Sequence, residues 1–146
     1  MRTSTKEQAE EFYSSYLEND GLIYVTAIDR YMNNPQEYMT YSHMLEEDIM
    51  YPYISEPLSV TQSLVRDLDG NGSYEYIVYY IEGDDTFCSY RVIFNLQDDV
   101  VYAYLSFLAY ENTITEDGTF MRDEGNFQYN WRVLFDHDSC FEFYCD

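Results

Sequence analysis

Hydrophobic positions fall at helical spacing through the first third of the chain and alternate with a period of two beyond Leu58. Ala9, Phe12, Tyr13, Tyr16 and Leu17 would share one helical face. Ser4-Thr5-Lys6-Glu7 ahead of them fits a capping box, in which Ser4 accepts from the Glu7 backbone N–H and Glu7 reaches back. Gly21 stands where a C-terminal cap belongs. A second helix is predicted over Leu22 to Met32, ended by Asn33-Asn34-Pro35. Pro35 can open a third, with Tyr38, Tyr41, Leu45 and Ile49 on one face. Pro52 and Pro57 close this helical part, 1–52.

From Leu58 onward, short runs rich in Val, Ile, Tyr and Phe are separated by the turn clusters DGNG, EGDD, QDD, TEDG, DEG and DHDS. Strands are predicted at 58–66, 74–82, 87–96, 100–109, 118–122, 127–135 and 140–144. The expected fold class is therefore α+β. Two or three N-terminal helices would pack on a C-terminal antiparallel β-meander of about six or seven strands, 58–146, in a single domain spanning 1–146. In the 74–82 strand, Tyr74, Tyr76, Val78 and Tyr80 share one face, while Glu75, Ile77, Tyr79 and Ile81 share the other. If both faces are apolar, this strand is covered on both sides.

Charge changes the picture. The 146 residues hold 28 Asp plus Glu against 7 Lys plus Arg, a net charge of −21, and Lys6 is the one lysine. Affinity for phosphate backbones comes from Lys and Arg displacing counterions, so direct nucleic-acid binding is disfavoured, as are anionic membrane surfaces. Cations and basic protein surfaces are the natural complements. The N-terminal stretch has no apolar core of signal-peptide type and no run approaches a membrane span, so the expectation is a soluble protein of the bacterial host cytoplasm.

Cysteine usage agrees with a reducing compartment. Cys88, Cys140 and Cys145 are an odd count without a disulfide framework, although one bridge from Cys88 to a C-terminal cysteine stays open. His137, Cys140, Cys145 and Cys88 could be imagined around zinc. Without a CxxC pair, and with two of them on one short strand, buried thiols are the better reading.

The stretch with the most chemistry is VRDLDGNGSYEYIVYY, Val65 to Tyr80. Asp67, Asp69 and Asn71 alternate ahead of Gly72, the opening half of an EF-hand-type loop. Spacing by two gathers oxygens around one cation, and the glycine permits the sharp turn. An EF-hand would need glutamate at the twelfth position, where Val78 stands, and helices rather than strands as flanks. The loop more closely resembles the inter-strand loops of FG-GAP-type β-propeller repeats and the DxDGDGxxEL hairpins of bacterial surface proteins, over about fifteen residues. That resemblance implies Asp67, Asp69, Asn71 and Glu75 as side-chain ligands, with the Ser73 carbonyl as a fifth, and carries no catalytic activity. Asn71 replaces an aspartate of the pattern, which removes a charge and shifts calcium binding toward millimolar rather than cytosolic concentrations. The alternative is an Asx- and Gly-rich hairpin whose side chains cap their own backbone.

Catalytic motifs are absent. There is no nucleophile elbow and no phosphate-cradling glycine loop ahead of a helix. His43, on a predicted helix, has no nucleophile partner legible in the sequence, and paired carboxylates are expected by chance in so acidic a chain. The chain therefore reads as a binding protein and not an enzyme, requiring no cofactor, with calcium as the one ion its loop would take. Its other acids cluster in turns: Glu82, Asp84, Asp85; Asp98, Asp99; Glu116, Asp117; Asp123, Glu124. A meander would present them in rows along its two ends. A folded scaffold, a near absence of lysine and excess negative charge suit a nucleic-acid mimic that occupies the basic groove of a nucleic-acid-binding enzyme, such as a CRISPR or restriction nuclease met by a phage inhibitor. A solvated surface or halophilic adaptation would show the same composition. The second functional expectation is a calcium-binding module of bacterial surface type built on 67–75.

Overall fold

The computed structural model describes residues 2–27, 36–46, 58–82, 85–107, 112–135 and 141–145. The chain starts with α1 (Lys6–Glu18), β1 (Ile23–Ala27), β2 (Glu37–Met39) and α2 (Tyr41–Glu46). β3 (Leu58–Arg66), β4 (Glu75–Glu82), β5 (Asp85–Gln97) and β6 (Val100–Phe107) follow. β7 (Thr113–Ile114), β8 (Phe120–Glu124), β9 (Phe127–Phe135) and β10 (Phe141–Cys145) complete the described elements. Strand dominates, and the expected α+β arrangement of N-terminal helices on an antiparallel meander is overturned. Six strands form a mixed sheet in the order β2-β1-β6-β5-β4-β3, and four form a second sheet, β10-β9-β8-β7.

The first correction lies at 22–32. Leu22 to Ala27 is not helix: Ile23 to Ala27 form β1, paired in parallel with β6 from Ile23 opposite Val101 to Ala27 opposite Leu105. Its period-two pattern is physical. Ile23 and Val25 enter one core while Tyr24 packs toward the other. Branching at Cβ also favours a strand over a helix. In place of the predicted third helix, Glu37–Met39 pair antiparallel with β1, and among the described residues of that stretch the short α2 alone is helical. Residues 28–35 and 47–57 of these predicted helices lie outside the described residues.

α1 forms where the periodicity places it, but its caps shift by a residue. Thr5, not Ser4, is the N-cap, its hydroxyl accepting from the Gln8 backbone N–H at 3.1 Å. At the other end Asp20 (φ 52) takes the left-handed position, and the Asp20 and Gly21 amides donate to the Leu17 and Tyr16 carbonyls in a Schellman pattern. Gly21 serves a different need: a Cβ there would lie 2.3 Å from the Tyr16 ring.

The central strands are indeed covered on both sides, by two separate cores. On one face Ala9, Tyr13 and Leu17 of α1 pack against Val78, Tyr80, Val92, Phe94, Ala103 and Leu105. On the other, Ile77, Ile93 and Tyr104 meet Ile114, Phe120 and Val133 of the second sheet. Arg91, 2 % exposed, reaches into this second core with its guanidinium over the Tyr79 and Phe120 rings, at 5.8 and 5.1 Å from their centroids. Helix, sheet and sheet are therefore stacked in three layers. The 67–74 loop closes the β3–β4 hairpin at the end of the large sheet where Asp98 and Asp99 turn β5 into β6.

Candidate metal centre

The 67–75 loop folds first on its own side chains. The two Asp67 carboxylate oxygens accept from the backbone N–H groups of Gly70 (3.0 Å) and Gly72 (2.9 Å). Asp69 accepts from the Asn71 amide at 3.3 Å, and Asn71 Oδ1 from Ser73 at 2.8 Å. Gly70 (φ 73) and Gly72 (φ 90) supply left-handed backbone that L-residues adopt at a cost. The hairpin alternative and the ligand alternative thus share one geometry: each Asx side chain already curls inward around its own turn.

The next step belongs to tertiary structure. Glu75 opens β4 with its side chain directed to the second-sheet face, where it is fully buried. Its Oε1 accepts from the Leu68 amide at 2.8 Å, and its Oε2 from Asn95 Nδ2 of β5 at 3.3 Å. Carboxylate oxygens of Asp67, Asp69 and Glu75 then lie within 4.8 Å of one another. Among the described residues these three are the one group of metal-ligating side chains gathered so closely. Asn71 and Ser73, expected as further ligands, lie on the rim of the same turn, Asn71 exposed and Ser73 half-buried, with Asn71 Oδ1 engaged by the Ser73 amide.

Three carboxylates in so small a space repel, and burial removes the water that would screen them. Desolvation raises the Asp69 pKa to about 6, helped by Asp67 and opposed by the Asn71 amide. Glu75 is pushed well above the ordinary carboxylate range, chiefly by burial and then by the Asp69 charge. Tyr13 of α1, whose hydroxyl accepts from the Leu96 amide at 2.8 Å, is raised by burial and by the Glu75 charge. The donors that reach the carboxylates of this pocket are the neutral amides of Leu68, Gly70, Asn71, Gly72 and Asn95, and Arg132 Nη1 comes to its rim, 4.0 Å from where a Gly70 Cβ would lie. A hard divalent cation bound by oxygen donors would neutralise what the amides cannot, and calcium suits such a donor set.

The loop is also a junction between layers. The Tyr74 amide donates to the Thr3 carbonyl at 2.8 Å, tying the N-terminal segment to it. The β7–β8 turn docks from the second sheet: Arg66 Nε donates to the Thr115 carbonyl at 3.2 Å. A Cβ at Gly118 (φ 90) would lie 2.0 Å from the Asp67 carbonyl oxygen.

No family model, no curated protein and no solved structure matches this chain.

The remaining acidic residues divide among several places. Asp98 and Asp99, both exposed and at positive φ, share the loop's end of the large sheet, and Glu116 and Asp117 arrive there on the docked β7–β8 turn. Glu82 and Asp85 belong to the opposite end of the β4–β5 hairpin, and Asp84 lies outside the described residues. Asp123 and Glu124 sit at the far end of β8, where Glu124 pairs with Arg122 at 2.8 Å. His43 is exposed on α2. His137 and Cys140 lie outside the described residues, and Cys88 and Cys145 are placed there only as strand positions. Two partners of the centre escaped sequence reasoning. Asn95 had a signal, a lone amide in the apolar run VIFNL, whereas Gly118 had none beyond its turn.

Proposed function

We propose that this chain is a small acidic binding protein whose 67–75 loop takes a calcium ion between Asp67, Asp69 and Glu75. The observation behind this reading is the fully buried Glu75 carboxylate held within 4.8 Å of two aspartates, with neutral amides facing it. The ion's role is structural: it offsets the mutual repulsion of the three acids and locks the β3–β4 turn on which the N-terminal segment and the second sheet rest. Asn71 in place of an aspartate sets the affinity toward about 10⁻⁴–10⁻³ M. Thermal melting of metal-free protein tests it directly. Calcium should raise the midpoint, chelator should reverse the gain, and Asp69→Ala should abolish the response. A midpoint indifferent to calcium in the unmodified chain would remove the reading.

A second reading, nucleic-acid mimicry, draws on one placement. Asp98 and Asp99 share an end of the large sheet with the 67–75 loop, and Glu116 and Asp117 dock beside it. That end would face the basic groove of a nucleic-acid-binding enzyme, a CRISPR or restriction nuclease, in the cytoplasm of a bacterial host. No helix among the described residues is long and apolar enough to cross a membrane. Binding to such a nuclease should be salt-sensitive, compete with DNA and survive chelator, and charge reversal at Asp98 and Asp99 should weaken it.

A further inference from the structure

Asn95 interrupts the apolar run VIFNL of β5 and is only 4 % exposed. By strand alternation it shares the second-sheet face with Ile93. Glu75 of β4 lies on that face too, beside the cross-strand pair of Tyr76 and Phe94, so the two polar side chains are neighbours. Asn95 Nδ2 donates to Glu75 Oε2 at 3.3 Å, which aims the amide at the acidic cluster. The Oδ1 of that amide is buried as well, and among the described residues no donor reaches it. Both Glu75 oxygens already accept hydrogen bonds, from Leu68 and from Asn95, so neither is placed to supply one. A buried amide oxygen left without a partner costs free energy, and folded proteins satisfy nearly all such atoms with protein, water or an ion.

We infer that Asn95 joins Asp67, Asp69 and Glu75 as a calcium ligand, its Oδ1 closing the ion's shell from β5, outside the loop. This rests on the calcium reading of 67–75 and extends it to a strand that no loop pattern includes. Calcium gathers about six to eight oxygens. The loop's own supply is partly spent: both Asp67 oxygens hold the Gly70 and Gly72 amides, and Asn71 Oδ1 holds Ser73. A neutral amide oxygen is a hard donor that adds no charge to three crowded carboxylates. An aspartate at the same place would add a fourth, at further cost to the metal-free fold. Ligation from β5 also ties the β3–β4 turn to the next strand, so the complete centre exists only once the large sheet has formed.

The test titrates terbium, an oxygen-seeking ion close to calcium in size, into the full chain, with calcium as competitor. Emission is excited through tyrosine, and Tyr13, on which the Glu75 charge acts, is a built-in sensitiser. Emission that survives Asp69→Ala belongs to other acids and is subtracted. Asn95→Leu keeps the volume and removes both polar atoms; it should weaken terbium and calcium at least about tenfold while retaining its circular dichroism. Asn95→Asp keeps an oxygen and loses the Nδ2 donor, and should bind at least as tightly as the unmodified chain. In the unmodified chain, saturating calcium should shift the Asn95 side-chain carbonyl carbon in NMR. Undiminished binding by Asn95→Leu would overturn the inference. Equal losses in the Leu and Asp variants would do so too, because Asn95 would then act only by holding Glu75. An unmoved Asn95 carbonyl would overturn it without any substitution. These results leave the calcium reading standing, whereas emission indifferent to Asp69→Ala removes that reading and this inference together.

Discussion

Two acidic glycine turns lie side by side in this molecule and behave oppositely. In 67–75 the carboxylates point inward, lose water and crowd one another, so Asp69 rises to about 6 and Glu75 is held well above the ordinary carboxylate range. In the β7–β8 turn Asp117 points outward. The Thr115 hydroxyl and the Thr119 amide and hydroxyl all donate to it, Arg132 lies 4.0 Å away, and its pKa falls to about 2. Residue types and turn chemistry are alike. What separates them is how many donors face each carboxylate and whether other carboxylates share the space. A turn that satisfies its own acid needs nothing more, whereas one that concentrates acids against a buried glutamate holds them protonated to higher pH, and it is there that the proposed cation would bind.

The comparison can be broken most severely at the contact between the two turns. Gly118→Ala forces a Cβ to within 2.0 Å of the Asp67 carbonyl at positive φ, and should cost about 2–4 kcal/mol in urea denaturation. A loss under about 0.5 kcal/mol would mean the turns do not rest on one another. Next in size is the cation itself. Calcium at about a hundredfold over its dissociation constant should add about 2.7 kcal/mol to the unmodified chain. Glu75→Gln should lose most of that gain while leaving the metal-free protein as stable as before or more so, because it removes a buried charge.

The pH dependence has opposite signs in the two turns. The fold favours protonated Asp69, whose ordinary pKa is 3.8 and whose folded value is about 6. Its contribution is therefore full below the ordinary value and lost as pH rises through about 6. Metal-free protein should lose this increment between about pH 4 and pH 7, and saturating calcium should flatten the loss. Asp117 works the other way. Its contribution is present above its ordinary 3.8 and lost as pH falls through about 2. Asp117→Ala should give the smallest effect, a slight drop in melting temperature at neutral pH that calcium does not alter. If Asp117→Ala removed the calcium response, the two turns would have to be treated as one site.

Local pattern carried much of the strand framework. The runs LSVTQSLVR and FQYNWRVLF, rich in β-branched, aromatic and aliphatic residues and bounded by turn clusters, place β3 and β9 at their observed bounds. The same logic failed at Leu22–Ala27, where a short apolar run fits helix and strand alike. The parallel pairing of Tyr24 with Tyr102 that decides it spans most of the chain. The Asx loop was legible because each side chain serves its own turn. Burial of Glu75 under Asn95 was not, since β5 reaches it only after the sheet has formed.

Sequence alone determined a folded, tyrosine-rich chain of extreme negative charge, one helix of correct face, most of its strands, and an Asp-Asp-Asn-Gly turn whose side chains curl onto its own backbone. Those properties depend on spacings of a few residues and on summed charge, both of which are local or additive. Tertiary structure alone decided that the sheet is mixed, that a second sheet covers its far face, and that Glu75 is drawn into the dark beside two aspartates. Those outcomes depend on contacts between distant segments, and electrostatic energy depends on the distance and the water left between charges, neither of which a linear pattern contains.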